Sequence, residues 1–493
     1  MAAPARPPAS SPRPSLQAGD AAVAWKAVGA GRSEGRRPAR AFAAAYAAGG
    51  AALVALCLAA PQLYLVDLPA WTYTGAVVVA EAGGATPWGL YPWPVPNTWA
   101  TLGAAPLVAA FGPLGAGRAF GAGLLAAGFG AAWALAAAVD VETAPARAAV
   151  LASTLVVSSS WWNGYLGFQI GVTLTMALGA RWVRRGGLSP AGLAAGSTAL
   201  FFAHAVPFAA FALGAGLDAL RRRDSRALAA LVPAGALTAW YLAARLAAPD
   251  GGFVAPQAAG GAVRAVAYKA YTAVKLGPFQ HPDGLDGTGV LHAHPALYWA
   301  GVALSALFVA VLAGVLAVGT VRLWRGRGAG RGAAAYGWAL VAVALALPPF
   351  ALNVVNPGER VLVMAAVVLV AAVPVPRRVL AVLGGAALLF LADDAHALWA
   401  QRSGLDADRR AELLAPRERP ARPFGDAVEA AAAEPLPLLG HPVLLNARYY
   451  GLAERADWTA PAFDSGPLRP PEGGRGTGQE ARAQPPSSAP PGP

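Results

Sequence analysis

Long apolar runs, separated by short polar connections, dominate the chain from about residue 41 to about residue 400. Runs of about 18–20 apolar residues can cross a bilayer as helices, because a helix satisfies its own backbone groups. The runs are continuous and lack the alternating segments of about ten residues that a transmembrane β-barrel needs. The pattern predicts an all-α, polytopic transmembrane bundle. Spans are expected near 41–64, 98–113, 118–139, 168–182, 228–247, 297–321, 334–353, 361–374 and 379–396. The run 191–220 breaks at His204-Ala-Val-Pro207 and has arginines beyond both ends, so it reads as a hairpin of two short spans. Residues 148–160 are too short for an easy crossing and read as a re-entrant or interfacial helix. The expected total is about eleven crossings.

Orientation comes from the basic residues. Arg32, Arg36, Arg37 and Arg40 precede the first span, and later clusters sit at Arg181/Arg184/Arg185, Arg221/Arg222/Arg223/Arg226, Arg322/Arg325/Arg327/Arg331 and Arg377/Arg378. Cytoplasmic loops collect Lys and Arg, which predicts a multi-pass cell-membrane protein with its N-terminus cytoplasmic and its C-terminus external. Residues 1–40 and 465–493 are Pro-rich and read as disordered, 41–400 as the membrane domain, and 401–464 as a small external segment. Residues 1–40 contain no short apolar region with a cleavage site, so the first helix is expected to be an uncleaved anchor. Val263 to Lys275 spaces apolar and basic residues as a surface-lying amphipathic helix would.

Composition sharpens this picture. The chain has 493 residues, 56% hydrophobic and 13% charged, against roughly 25% charged in soluble domains. Its formal charge of +12 would suggest nucleic acid in a soluble protein. Here the charge is explained by basic loops, and no nucleic-acid partner is expected. Cys57 is the only cysteine, which excludes an intrachain disulfide and a thiolate metal site. Heavy Ala, Gly, Arg and Pro usage reads as the codon bias of a GC-rich bacterial genome.

Few polar residues fall where chemistry could be done. Asp67 is a lone carboxylate directly after the first span, where a charge is costly unless paired or used. It either ends a helix or serves as a general base. The stretch 66–97, with Trp99 just beyond, holds Trp71, Tyr73, Trp88, Tyr91 and Trp93, which suit either a sugar-binding wall or an interfacial aromatic belt. Asn163, in Trp161-Trp162-Asn163-Gly164-Tyr165, and His204 fall on the same expected external face. Arg360, in Asn356-Pro-Gly-Glu359-Arg360, could hold a phosphate through its forked guanidinium, snorkel to lipid headgroups or pair with neighbouring Glu359. His281, His292 and His294, with Asp283 and Asp286, match no compact ligand motif, so no metal site is assigned and a divalent metal stays open.

The layout resembles the GT-C superfamily of membrane glycosyltransferases, which take sugars from polyprenyl-phosphate donors on the external face. Val66-Asp67-Leu68-Pro69 stands where such enzymes place an acidic residue, shortly after the first span. Trp162-Asn163-Gly164-Tyr165-Leu-Gly167-Phe168-Gln169, Phe201-Phe202-Ala-His204 and Asn446-Ala-Arg448-Tyr449-Tyr450 are similar to segments of bacterial members. The resemblance implies Asp67 as catalytic base, and Arg360, His204, Asn163 and Trp71 around the lipid-linked sugar. Many members carry a second acid beside the first. Here the only acidic doublet is Asp393-Asp394, in the last span. The competing classes are a transporter or flippase without chemistry and a non-enzymatic integral membrane protein. A transporter would carry polar groups within its spans, whereas an enzyme needs an external site alone.

Overall fold

A computed structural model of the chain describes residues 36–60, 63, 65, 67–84, 89–247, 261–279, 295–328, 330–351, 354–403 and 468–469. Of the segments expected at 1–40, 401–464 and 465–493, residues 1–35, 404–467 and 470–493 lie outside them, as do Trp88, the loop histidines and Asn446 to Tyr450, whereas 36–40 and 401–403 are helical. Two compact units divide at Ala41, and every contact described below lies within the second, Phe42–Pro493.

The described chain is overwhelmingly helical. Five helices are long and apolar enough to cross a membrane: Arg40–Ala59, Thr98–Val139, Ser225–Ala247, Trp299–Arg325 and Arg377–Trp399. Shorter apolar helices cover Ala144–Val156, Pro190–Ala203 and Arg331–Ala346. These features fit a bilayer environment, as the apolar runs predict. In chain order we label α1 (Arg36–Ala59), α2 (Leu68–Ala82), β1 (Gly89–Leu90), α3 (Thr98–Val139), α4 (Ala144–Leu151), α5 (Ser159–Trp162), α6 (Leu166–Arg185), α7 (Pro190–Ala203) and α8 (Ala205–Arg222). The remainder are α9 (Ser225–Ala230), α10 (Val232–Ala247), α11 (Ala262–Val274), α12 (Pro295–Arg325), α13 (Arg331–Ala346), β2 (Phe350–Ala351), β3 (Val354–Val355), α14 (Pro357–Ala372), α15 (Arg377–Ser403) and β4 (Leu468–Arg469).

The stretch expected as an aromatic loop is half helix. Pro69 sits in the first turn of α2, where its missing N–H breaks no bond. Leu68 to Val77 are all buried, Trp71 and Tyr73 among them, because α2 packs along the start of α3. Beyond α2, Gly89–Leu90 pair antiparallel with Leu468–Arg469, two residues of the tail expected to be disordered. That pairing sets Leu468–Arg469 beside the α2–α3 connection.

The expected crossing at 98–113 needs correction, while 118–139 lies within one long apolar limb. The chain does break there, at Gly112, whose φ of 67° and ψ of 172° are open to glycine and strained for other residues. However, Gly103 lies 3.3 Å from the Phe120 ring by its would-be Cβ, whereas a straight helix would separate them by about 25 Å. The short limb therefore folds back on the long one. The long limb runs antiparallel to α1: Tyr46 Oη donates to the Phe129 carbonyl at 2.7 Å, and Arg118 Nη1 donates to the Ala60 carbonyl at 3.3 Å. Its far end meets the basic residues, since Arg184 Nη2 donates to the Ala134 carbonyl at 3.1 Å and Arg377 pairs with Glu142. Residues 134–142 thus share an end of the bundle with the arginine clusters, and 113–139 is one limb facing α1.

The 148–160 run accounts for the return. It belongs to a broken helix comprising α4, a π-helical turn over Ala152–Val156 and the single-turn α5. Residues 143–164 are buried throughout, so the interfacial alternative is corrected: no face is left for a membrane surface. This element carries the chain from the basic end at Glu142 to the opposite end at Asn163. It was too short to read as a span because its apolar run is interrupted by Arg147 and by Ser153 to Ser160, which are enclosed by protein instead of lipid. Arg147 is 3% exposed and donates to the Val370 carbonyl of α14.

The 191–220 hairpin is observed. α7 and α8 meet at His204, and their other ends come together where Arg222 Nη1 donates to the Gly186 carbonyl at 3.2 Å. The amphipathic helix is present as α11, with Val263 and Val266 exposed. Its polar side docks inward: Lys269 donates to the Leu347 carbonyl and Tyr268 to Asn356 Oδ1.

The corrected path of α3 can be tested by labelling. In a Cys57→Ala background, Glu142→Cys and Arg378→Cys should react with an impermeant thiol reagent from the same side of the membrane. Labelling from opposite sides would restore the crossing at 98–113.

Candidate functional site

The site is built on the turn after α5. Asn163, Gly164 and Tyr165 come directly after α5, and the Asn163 carbonyl accepts the Asp67 N–H at 3.0 Å. Gly164 has a φ of 69°, and a Cβ there would lie 2.8 Å from Asp67 N and 2.7 Å from Leu68 N. Only glycine admits the start of α2 so closely. Trp71, one turn on, donates its indole N–H to the Gly164 carbonyl at 3.1 Å. Asn163 Nδ2 in turn bonds the Ser159 carbonyl at 2.8 Å and Ser159 Oγ at 3.1 Å. Asn163 and Trp71, expected to touch substrate, are both buried, and their hydrogen bonds join this turn to the start of α2.

Asp67 caps α2 by position, yet its carboxylate accepts no hydrogen bond from the first turn of that helix. The helix-end explanation therefore lacks its usual bond. The side chain keeps a partial opening to solvent but is packed among protein groups. Burial pushes its carboxyl up to about 7 from 3.8, and the Arg360 charge pulls it back down. Desolvation outweighs the opposite charge because no direct Asp67–Arg360 ion pair is formed among the described residues.

Arg360 arrives from the first turn of α14. Its guanidinium carbon stands 4.5 Å from the centre of the Tyr165 ring and 5.9 Å from that of Phe168. Such stacking contributes about 0.5–2 kcal/mol. Its Nη1 lies 3.4 Å from His204 Nε2, and its Nε has no hydrogen-bond partner among the described residues. His204 Nδ1 accepts the Val206 N–H at 3.1 Å. A neutral imidazole that accepts at Nδ1 carries its proton on Nε2. Burial and the Arg360 charge hold His204 well below its usual range, so the ring is neutral. Nε2–H and the guanidinium therefore present N–H donors to each other with no acceptor between them.

Behind Arg360 lies a second layer. Glu359, 4% exposed, accepts from Asn356 Nδ2 at 2.7 Å and lies 3.9 Å from Lys275 Nζ. Burial raises Tyr165 to about 12; Arg360 lowers it, Asp67 and Glu359 raise it, and Lys275 lowers it. Those five residues thus share one electrostatic neighbourhood. Tyr165, Phe168, Glu359 and Lys275 were not singled out as site residues from sequence. A ring under a guanidinium leaves no spacing signal, and Lys275 read as part of a surface helix.

The site lies at the opposite end from the basic clusters. Phe168 and Arg184 are about 24 Å apart along α6, at 1.5 Å per residue. No group of three His, Cys, Asp or Glu side chains suited to a metal occurs among the described residues. Comparison with protein-family models, curated proteins and solved structures finds no match to this chain.

The raised carboxyl has a consequence for stability. Folding favours the protonated form of Asp67, so its contribution falls as pH rises from about 4, near its unfolded value, to about 7. Relative to the parent, Asp67→Asn should gain thermal stability progressively over that window and show a constant difference above it. Melting curves in detergent from pH 4 to 9 check this, and parallel curves would show that Asp67 is not desolvated.

Proposed function

We propose that the chain is a GT-C-like glycosyltransferase that moves a sugar from a lipid-phosphate donor to an acceptor hydroxyl, at the membrane face opposite the arginine clusters. The observation that carries this reading is the meeting of Arg360 and His204. Two N–H donors face one another 3.4 Å apart, a placement that an anion's oxygen would satisfy. A phosphate there would sit beside a carboxylate whose value near 7 suits proton abstraction at neutral pH.

In this reading Asp67 takes the proton of the acceptor hydroxyl while that oxygen bonds the anomeric carbon. The bond from the anomeric carbon to the phosphate oxygen breaks, and the lipid phosphate leaves with the electron pair. Arg360 and His204 Nε2–H stabilise the charge developing on that oxygen. Trp71 and Asn163 hold Asp67 in place. With the arginine clusters cytoplasmic, the site and the C-terminal segment are external. No metal enters this scheme.

Buried Arg147 and Asp394 keep a second reading in view, since ionisable groups inside apolar helices are common in transporters and flippases. The two readings separate on Asp67. The experiment measures transfer from a polyprenyl-phosphate sugar by the purified protein across pH. Parent activity should rise through a limb near pH 7 and be lost in Asp67→Asn. In Arg360→Lys, which keeps charge but not the fork, apparent donor affinity should fall about tenfold. Arg360→Gln should move the limb to higher pH, because its charge holds Asp67 down. Retained transfer by Asp67→Asn would refute Asp67 as the base, no transfer by the parent would refute the enzyme, and lipid movement by a parent without transfer would favour the flippase.

A further inference from the structure

We propose that Asp394 is a positioning residue: through Trp162 it fixes the turn that holds Asp67 and Arg360 in register. Nothing in the sequence connects them, since Asp394 lies in the last described helix, far along the chain. The proposal rests on the reading of Asp67 and Arg360 as one site.

Asp394 is fully enclosed, at 0% exposure, on α15. Its Oδ1 accepts the indole N–H of Trp162 at 3.2 Å, and its Oδ2 has no hydrogen-bond partner among the described residues. Trp162 is also at 0% exposure. A carboxyl with one oxygen unpartnered in such a place is costly, whereas an apolar side chain of similar size would not be. Core stability therefore gives no account of it, whereas registry does.

The element it grips is well suited to transmit a position. α5 is a single turn between the bend after the π-helical turn and the Gly164 turn, so it has little helix of its own to orient it. Its backbone is bonded tightly to the next three residues: Asn163 N to the Ser159 carbonyl at 2.8 Å, Gly164 N to the Trp161 carbonyl at 2.8 Å, and Tyr165 N to the Ser160 carbonyl at 2.9 Å. The turn thus moves with Trp162. Both partners hang from it: Asp67 through the Asn163 carbonyl at 3.0 Å, and Arg360 through the Tyr165 ring at 4.5 Å. Freeing the Trp162 indole would let the turn pivot and change the distance between carboxylate and guanidinium.

The test reads Asp67 directly and needs no sugar donor. The full-length protein in lipid nanodiscs is titrated by infrared spectroscopy, and the Asp67 carboxyl band is assigned by its loss in Asp67→Asn. Trp162→Phe and Asp394→Leu should each move the Asp67 midpoint by about half a pH unit or more, a threefold change in ionisation constant. Asp394→Asn, which keeps an acceptor for the indole, should leave it in place. An unmoved midpoint in a folded Trp162→Phe protein would overturn the proposal, as would an Asp394→Asn shift as large as that of Asp394→Leu. If Asp394→Leu does not fold, Trp162→Phe decides alone. The midpoint shifts are read without a sugar donor and would still be seen in a protein that transfers nothing, so the two failures are distinguishable.

Discussion

The Asn163–Gly164 turn carries the architecture of the site. Its carbonyls accept the Asp67 N–H and the Trp71 indole, so α2 is anchored to α6 at the point where the carboxylate leaves the chain. Gly164 permits this approach because a Cβ would meet the Asp67 backbone at 2.8 Å. Tyr165 then offers its ring to Arg360. One turn thereby joins the ends of α2, α6 and α14, and the rest of the bundle supports it.

The electrostatics of the site depend on which groups the turn brings together and which it keeps apart. Asp67 and Arg360 act on each other, yet the absence of a direct ion pair leaves the carboxyl near 7 and the guanidinium available. Had the two closed on each other, the carboxylate would be held ionised and low, and the arginine would be satisfied. His204, its tautomer set by the Val206 N–H, adds a second donor without adding charge.

Three of the residues that gather at this turn stand out one by one in the sequence, but their assembly does not. Asp67 and Arg360 stand out in sequence because each is an isolated charge beside an apolar run, and His204 because it breaks one. Their convergence depends on packing between helices distant in the chain, which periodicity does not encode. The helical class and the α7–α8 hairpin were readable from runs and arginines. The path of 98–162 was misread, since Gly112 marks a break without giving its direction. An enclosed helix such as Ala144–Val156 need not meet the length and apolarity of a lipid-facing span. Asp394 looked like a departure from the usual acidic pair, and only packing sets it behind the Trp162 turn.

The central claim is that Asp67 and Arg360 line one anion-accepting site. The most direct measurement is the midpoint of the Asp67 carboxyl band with and without a polyprenyl phosphate in the nanodisc. A phosphate bound on Arg360 and His204 places negative charge beside Asp67 and offsets the cation that lowers it, so the midpoint should rise. A midpoint indifferent to saturating lipid phosphate would contradict the account.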